Sequence, residues 1–179
     1  PPPPGGGRPV QISPIKNFAL ESRLKILQPE KTGDMGFIEE LQFLSPDLIV
    51  VAAFGQILKP NIVDQYFCLN LHASVLPKYR GAAPINRAFI NGDSETGVTI
   101  MRMDAGLDTG DIVATTRTQI QLHDNAQTLH DRLAKMGAEL LLKTIPGYVA
   151  GEIELERQPV IGASYARKIK KEDGRMDWK

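Results

Sequence analysis

Residues 68–84 read CLNLHASVLPKYRGAAP. The stretch opens as the end of a short apolar run, Phe67-Cys68-Leu69, the pattern of a strand entering a core. Asn70 and His72 follow, two positions apart. Strand side chains alternate faces, so Asn70 and His72 point to one side and Leu71 into the packing. The chain then turns through small and rigid residues: Ala73, Ser74, Pro77, Gly81, Ala82, Ala83 and Pro84. An amide beside an imidazole at a strand end can do acyl chemistry. The amide polarises a carbonyl, and the imidazole handles a proton near neutral pH. The same pair can equally do no more than satisfy nearby backbone groups.

Upstream, Asp47–Ala53 is a continuous β-branched run, DLIVVAA. Such a run fits a strand buried on both faces, as in a parallel sheet covered by helices. Phe54, Gly55, Gln56, Ile57 and Leu58 follow at its carboxyl end, where open α/β sheets bind ligands. They form a candidate pocket wall, or else a plain strand-to-helix turn with Ile57 and Leu58 in the core. Lys59–Tyr66 fits a short helix. Ile15–Leu27 has helical spacing followed by a brief apolar segment, and Phe37–Leu44 reads as a second helix ended near Ser45-Pro46. Pro1–Pro14 is rich in Pro and Gly and reads as a flexible loop, either a linker or a mobile substrate loop carrying Arg8.

Downstream, Pro84–Asn91 is a helix with Pro at its first turn and Gly92 at its end. Gly97–Met103 and Asp111–Ile120 are strands, joined by the loop Asp104–Gly110, DAGLDTG. The alternation of Ile112, Ala114 and Thr116 with Val113, Thr115 and Arg117 suits an exposed or antiparallel position. Asn125–Val149 is a long amphipathic helix with Leu129, Leu133, Met136, Leu140 and Leu141 on one stripe. Asp124 or Asn125 caps it, and Pro146-Gly147 weakens its end. From Glu154 onward the polar residues read as a solvated linker.

Asp108 stands in the glycine-flanked loop between two strands, from which a carboxylate can reach the imidazole of His72. Asn70, His72 and Asp108 then make an acid/base and oxyanion set; the spacing equally allows Asp108 to stabilise only its own turn. The histidines His72, His123 and His130 show no metal-ligand spacing, so no metal site is expected. Cys68 is the only cysteine, which excludes an internal disulfide, and its apolar setting suits an inert core thiol. The 21 basic and 21 acidic residues cancel, which argues against a dedicated nucleic-acid-binding domain but leaves room for a local basic patch. No apolar run approaches membrane-spanning length.

The stretch LNLHASVLPKYRGAAPINRAFINGDSETGVTIMRMDAGLDTGDIV resembles the family of methionyl-tRNA formyltransferases, within the wider folate-dependent formyltransferases. The likeness extends from QISPIK through LIVVAAFGQIL to KIKKEDGRMDW. It implies a Rossmann-like α/β domain over residues 15–153, a mostly parallel sheet with flanking helices. It also implies an incomplete N-terminal start, and residues 154–179 leading to a further domain. Its catalytic Asn, His and Asp fall on Asn70, His72 and Asp108. The formyl donor it implies is 10-formyltetrahydrofolate, held along Phe54, Gly55, Gln56, Ile57 and Leu58, by Ser74, Leu76 and Pro77, and by Asp104 and Leu107. The acceptor it implies is the amine of initiator methionyl-tRNA, with Arg8 and Arg80 as candidate contacts, in a cytoplasmic or organellar monomer. Two other readings stay open: a formyltransferase acting on a sugar-nucleotide or other small amine, and a non-catalytic folate- or RNA-binding module.

Overall fold

The strand that carries Asn70 and His72 is β2 (Cys68–His72), inside a four-stranded sheet of order β1-β2-β3-β4. The computed structural model describes residues 12–176. The elements are α1 (Pro14–Glu21), α2 (Met35–Leu44), β1 (Ile49–Ala52), α3 (Pro60–Val63), β2, α4 (Pro84–Ile90), β3 (Glu95–Arg102), β4 (Ile112–Gln119) and α5 (Ala126–Val149), with a single 3₁₀ turn at Lys171–Gly174. The expected loop at Pro1–Val10, with Arg8, lies outside the described residues. The chain divides into two units: Pro1–Pro46 with Phe54–Lys59, and Asp47–Ala53 with Pro60–Lys179.

In the first unit both helices start on side-chain caps. Ser13 accepts from the Lys16 amide and Asp34 from the Gly36 amide. α1 takes the first part of the expected Ile15–Leu27 helix and apolar segment, and Arg23, at a left-handed φ of 54°, follows its end. Thr32, 2% exposed, pins the segment 54–58. Its hydroxyl donates to the Ile57 carbonyl (3.0 Å) and its amide to Gln56 Oε1 (3.2 Å). Lys25, in the segment after α1, pairs with Glu40 of α2.

In the second unit the sheet is mixed, not mostly parallel. β1 and β2 run parallel; β2–β3 and β3–β4 are antiparallel. The β3–β4 link, residues 103–111, is too short for the crossover of about a dozen residues that a parallel pairing needs. The link containing α4 returns the chain to the end of the sheet it left, since His72 pairs with Thr99. β1 is an edge strand among the described residues. Its side chains alternate between half-buried and exposed, so it lacks the double burial that its apolar run suggests. β4, the other edge, shows the expected alternation.

The two faces of β2 and β3 do different work. Leu69 and Ile100 are fully buried with Val113, and Leu71, Leu140, Leu141, Ile153 and Leu155 pack around them. A large apolar side chain taken from water contributes roughly 1.5–3 kcal/mol. α5 covers this face: the space a Cβ on Gly137 would fill already touches Leu71 and Val98. Asn70, His72, Thr99 and Met101 take the opposite face by alternation and register.

α5 begins on Asn125, whose side chain accepts from the Gln127 and Thr128 amides while Thr128 answers with its hydroxyl. Asp124 is left for Arg132, at 2.5 and 3.0 Å. The Arg132 guanidinium, helped by the Gln121 amide, holds the Asp124 carboxyl down at about 2. A depressed carboxyl stabilises the fold above its unfolded value near 3.8 and loses that effect as pH falls through about 2. Asp124→Asn is therefore expected to melt below the wild type at pH 7 and to match it below pH 2, measured by thermal unfolding across pH.

The chain after α5 is not the linker its polar composition suggests. Glu156 exchanges backbone hydrogen bonds with Ile112 (2.7 and 2.9 Å). Arg80 donates to the Ser164 carbonyl (2.9 Å), and Ala166 donates back to Arg80 (2.7 Å). Gln158 and Ala166 are buried. The available signal was the period-2 run Glu152-Ile153-Glu154-Leu155-Glu156, a strand pattern too short to stand out among charges.

Candidate active site

Asp108 gathers the candidate residues. The loop after β3 brings its carboxylate over the Asn70/His72 face of β2. Asn70 Nδ2 donates to Oδ1 (3.3 Å), the Gly81 amide donates to Oδ2 (2.8 Å), and His72 Nδ1 stands 3.6 Å from Oδ2. The His72 side chain is 6% exposed and that of Asp108 14%, so the carboxylate keeps an opening to solvent. No other bond to the Asn70 amide is found among the described residues.

The His72 ring is oriented from behind. Its Nε2 lies 2.7 Å from the Tyr79 carbonyl, which can only accept, so Nε2 carries a hydrogen and donates. Nδ1 is then the nitrogen left to exchange a proton or to bind an oxygen. Tyr79 is itself immobilised. Its hydroxyl donates to Asp93 (2.8 Å) and accepts from Asn91 (2.8 Å), and its amide donates to Ser164 Oγ (2.9 Å). Burial, then the Asp93 carboxylate, push the Tyr79 hydroxyl above its ordinary value and keep it neutral. Nothing in the spacing of the sequence marked Tyr79 as the residue that aims the imidazole.

Two glycines allow these contacts. Gly81 has φ +108°, and a Cβ there would lie 3.1 Å from the Ala166 carbonyl oxygen. At Gly110 a Cβ would collide with the Arg102 carbonyl. Asp108 itself adopts a left-handed φ of 53°. Its neighbour Asp104 shapes the loop, accepting from Thr109 Oγ1 (2.7 and 2.9 Å) and the Gly106 amide (3.0 Å).

The remaining candidates separate. Ser74 is fully buried; its hydroxyl donates to the Lys78 carbonyl (2.5 Å) and its carbonyl accepts from Thr99 (2.8 Å). Leu76 is 4% exposed, and the Leu76–Pro77 peptide is cis. The side chains of Ser74 and Leu76 therefore build the turn. Leu107 is exposed. Phe54 and Ile57 are exposed on the first unit, while Leu58 is half-buried there and Gln56 is bonded to Thr32. Arg80 places Nε and Nη2 on Gln158 Oε1 (3.1 and 2.7 Å). Cys68 is buried, and burial raises its thiol above the ordinary value, as suits an unreactive thiol. A cavity of about 420 Å³ opens beside the loop, between Val63, Arg102, Asp104 and Asp111. No helix among the described residues is long and apolar enough to cross a membrane.

An amide donor, a one-sided imidazole and a carboxylate around one opening suit chemistry at a carbonyl carbon. The chain is 50% identical over 178 residues to the methionyl-tRNA formyltransferase of Caldanaerobacter subterraneus subsp. tengcongensis, a match covering 98% of this chain and 58% of that protein. It is 49% identical over 179 residues to the Clostridium tetani methionyl-tRNA formyltransferase, again spanning 58% of the relative's length. Among solved structures, the formyltransferase PseJ from Anoxybacillus kamchatkensis, in complex with UDP-4,6-dideoxy-4-formamido-L-AltNAc and tetrahydrofolate, superposes with a TM-score of 0.68 at 29% identity. That match covers 85% of this chain and 79% of PseJ. The sequence pattern of the formyl transferases matches residues 5–145. The chain belongs to the formyl transferase family.

Proposed function

We propose that this protein transfers a formyl group from 10-formyltetrahydrofolate to the α-amino group of methionine on initiator tRNA, for translation initiation. The observation that carries the reading is the Asp108 carboxylate, bonded to Asn70 and facing the free ring nitrogen of His72. The names of the relatives that match nearly the whole chain supply the acceptor.

The donor, when bound, supplies the formyl carbon and leaves as tetrahydrofolate. The chain's own residues divide the remaining work. The second N–H of the Asn70 amide and the Nδ1 side of the His72 ring hold the formyl oxygen as it gains charge. Asp108 orients His72 and takes the proton that the attacking amine loses as its nitrogen bonds to the carbon. That proton then goes to the departing folate nitrogen. Phe54, Gly55, Gln56, Ile57, Leu58, Ser74, Leu76, Pro77, Asp104 and Leu107 are proposed as folate contacts. Arg8 and the Nη1 end of Arg80 are proposed contacts to the tRNA. The setting is the cytoplasm, with the enzyme acting as a monomer.

The likeness to PseJ favours one second reading, formylation of a sugar-nucleotide amine. Acceptor competition separates the two. With 10-formyltetrahydrofolate limiting, charged initiator tRNA is expected to take nearly all the formyl group in the presence of equal UDP-4-amino sugar. Preferential formylation of the sugar would overturn the tRNA assignment.

A further inference from the structure

We infer that Gln158 is a positioning residue that holds Asp108 against His72 from a distant part of the chain; its catalytic consequence rests on the formyl-transfer reading above. Gln158 is 7% exposed. Its Nε2 donates to the Asp108 carbonyl (3.0 Å) and the Gly110 carbonyl (2.7 Å). Its Oε1 accepts from Nε (3.1 Å) and Nη2 (2.7 Å) of Arg80. A glutamine amide has two N–H donors and two acceptor sites, and here all four are used. It has no group left for a ligand and acts only through its neighbours.

Those neighbours are the two segments that meet at the Asp108 carboxylate. One is the loop 104–111, where Asp108 sits at φ 53°, a left-handed conformation that Asp adopts more readily than most L-residues and that its bonds here hold in place. Gln158 fixes the loop there by bonding the carbonyls on both sides of Thr109. The other is Arg80-Gly81, whose Gly81 amide bonds Oδ2 of the same carboxylate. Gln158 also lies 3.9 Å from Sδ of Met101, the residue paired with Asn70 across β2–β3. One buried amide thus ties the loop, the Arg80 turn and the strand face together.

Two variants test this. Gln158→Leu removes all four bonds. Gln158→Glu keeps an acceptor for Arg80 and loses both donors to the loop, so it carries the test should the leucine variant fail to fold. Each is measured for kcat and KM in formyl transfer and for the ¹⁵N signals of the His72 ring at fixed pH. Losing the clamp is expected to lower kcat by about tenfold to 10²-fold, since misplacement near 1 Å has that scale. KM for both substrates stays within about twofold of wild type. The ring signals of His72 shift in both variants as the carboxylate moves. A Gln158→Glu protein with unchanged ring signals would overturn the positioning role, whatever its activity. Shifted ring signals in a protein that never transfers formyl groups would support the positioning role and sink the formyl-transfer reading instead.

Discussion

His72→Ala is expected to lower kcat for formyl transfer by about 10²–10³-fold, the usual scale for a donor to a developing oxyanion. The ring offers the site one nitrogen, because Nε2 is committed to the Tyr79 carbonyl at 2.7 Å. Truncation removes Nδ1 from the reaction, and it also leaves a buried carbonyl without its donor. That second loss costs stability by about 1–3 kcal/mol, so a single alanine variant mixes two effects. His72→Gln separates them, since its amide can still donate to Tyr79 but cannot carry an ionisable proton. Its expected behaviour is a melting temperature close to wild type with transfer still depressed. A glutamine variant within tenfold of wild-type kcat would assign His72 a structural role.

Asp108→Asn is expected to cost a similar factor, about 10²–10⁴ in kcat, without unfolding the loop. An asparagine oxygen can still accept from the Gly81 amide, and the backbone bond to Gln158 does not involve the side chain. What disappears is the proton acceptor and the negative charge beside His72. The new NH₂ group also meets Asn70 Nδ2, donor against donor, where the carboxylate accepted it. Melting within a few degrees of wild type, together with collapsed kcat, is the result that places Asp108 in the chemistry. Steady-state kinetics beside thermal unfolding reads both quantities.

Much of the site was legible because it is written locally. Asn70 and His72 share a face by strand alternation, and Asp108 lies in a loop whose glycines allow close approach. The RGAAP motif reads locally as a small, rigid turn, yet four of its five residues have separate reasons to be there. Arg80 reaches Gln158, Gly81 supplies both the left-handed turn and the amide for Asp108, Ala83 is buried beside the returning chain, and Pro84 opens α4. The reasons for Arg80, the Gly81 turn and Ala83 depend on residues 158–166, more than seventy positions away, and no local pattern could announce them.

By itself the sequence determined the features that arise between near neighbours along the chain. These include most of the helices and strands, the Asn125 cap of α5, the face shared by Asn70 and His72, and the inert setting of Cys68. Short-range sterics, alternation and capping decide such features within a few residues. Only the tertiary structure decided the features that depend on distant partners. Among the described residues it made the sheet mixed rather than mostly parallel, and left the side chains of β1 alternately half-buried and exposed. It turned Ser74 and Leu76 inward, and it drew the polar segment after α5 back under the active-site loop. Burial and hydrogen-bond satisfaction act across the fold, so a glutamine that looks like linker in the sequence becomes a clamp once its four bonds find partners.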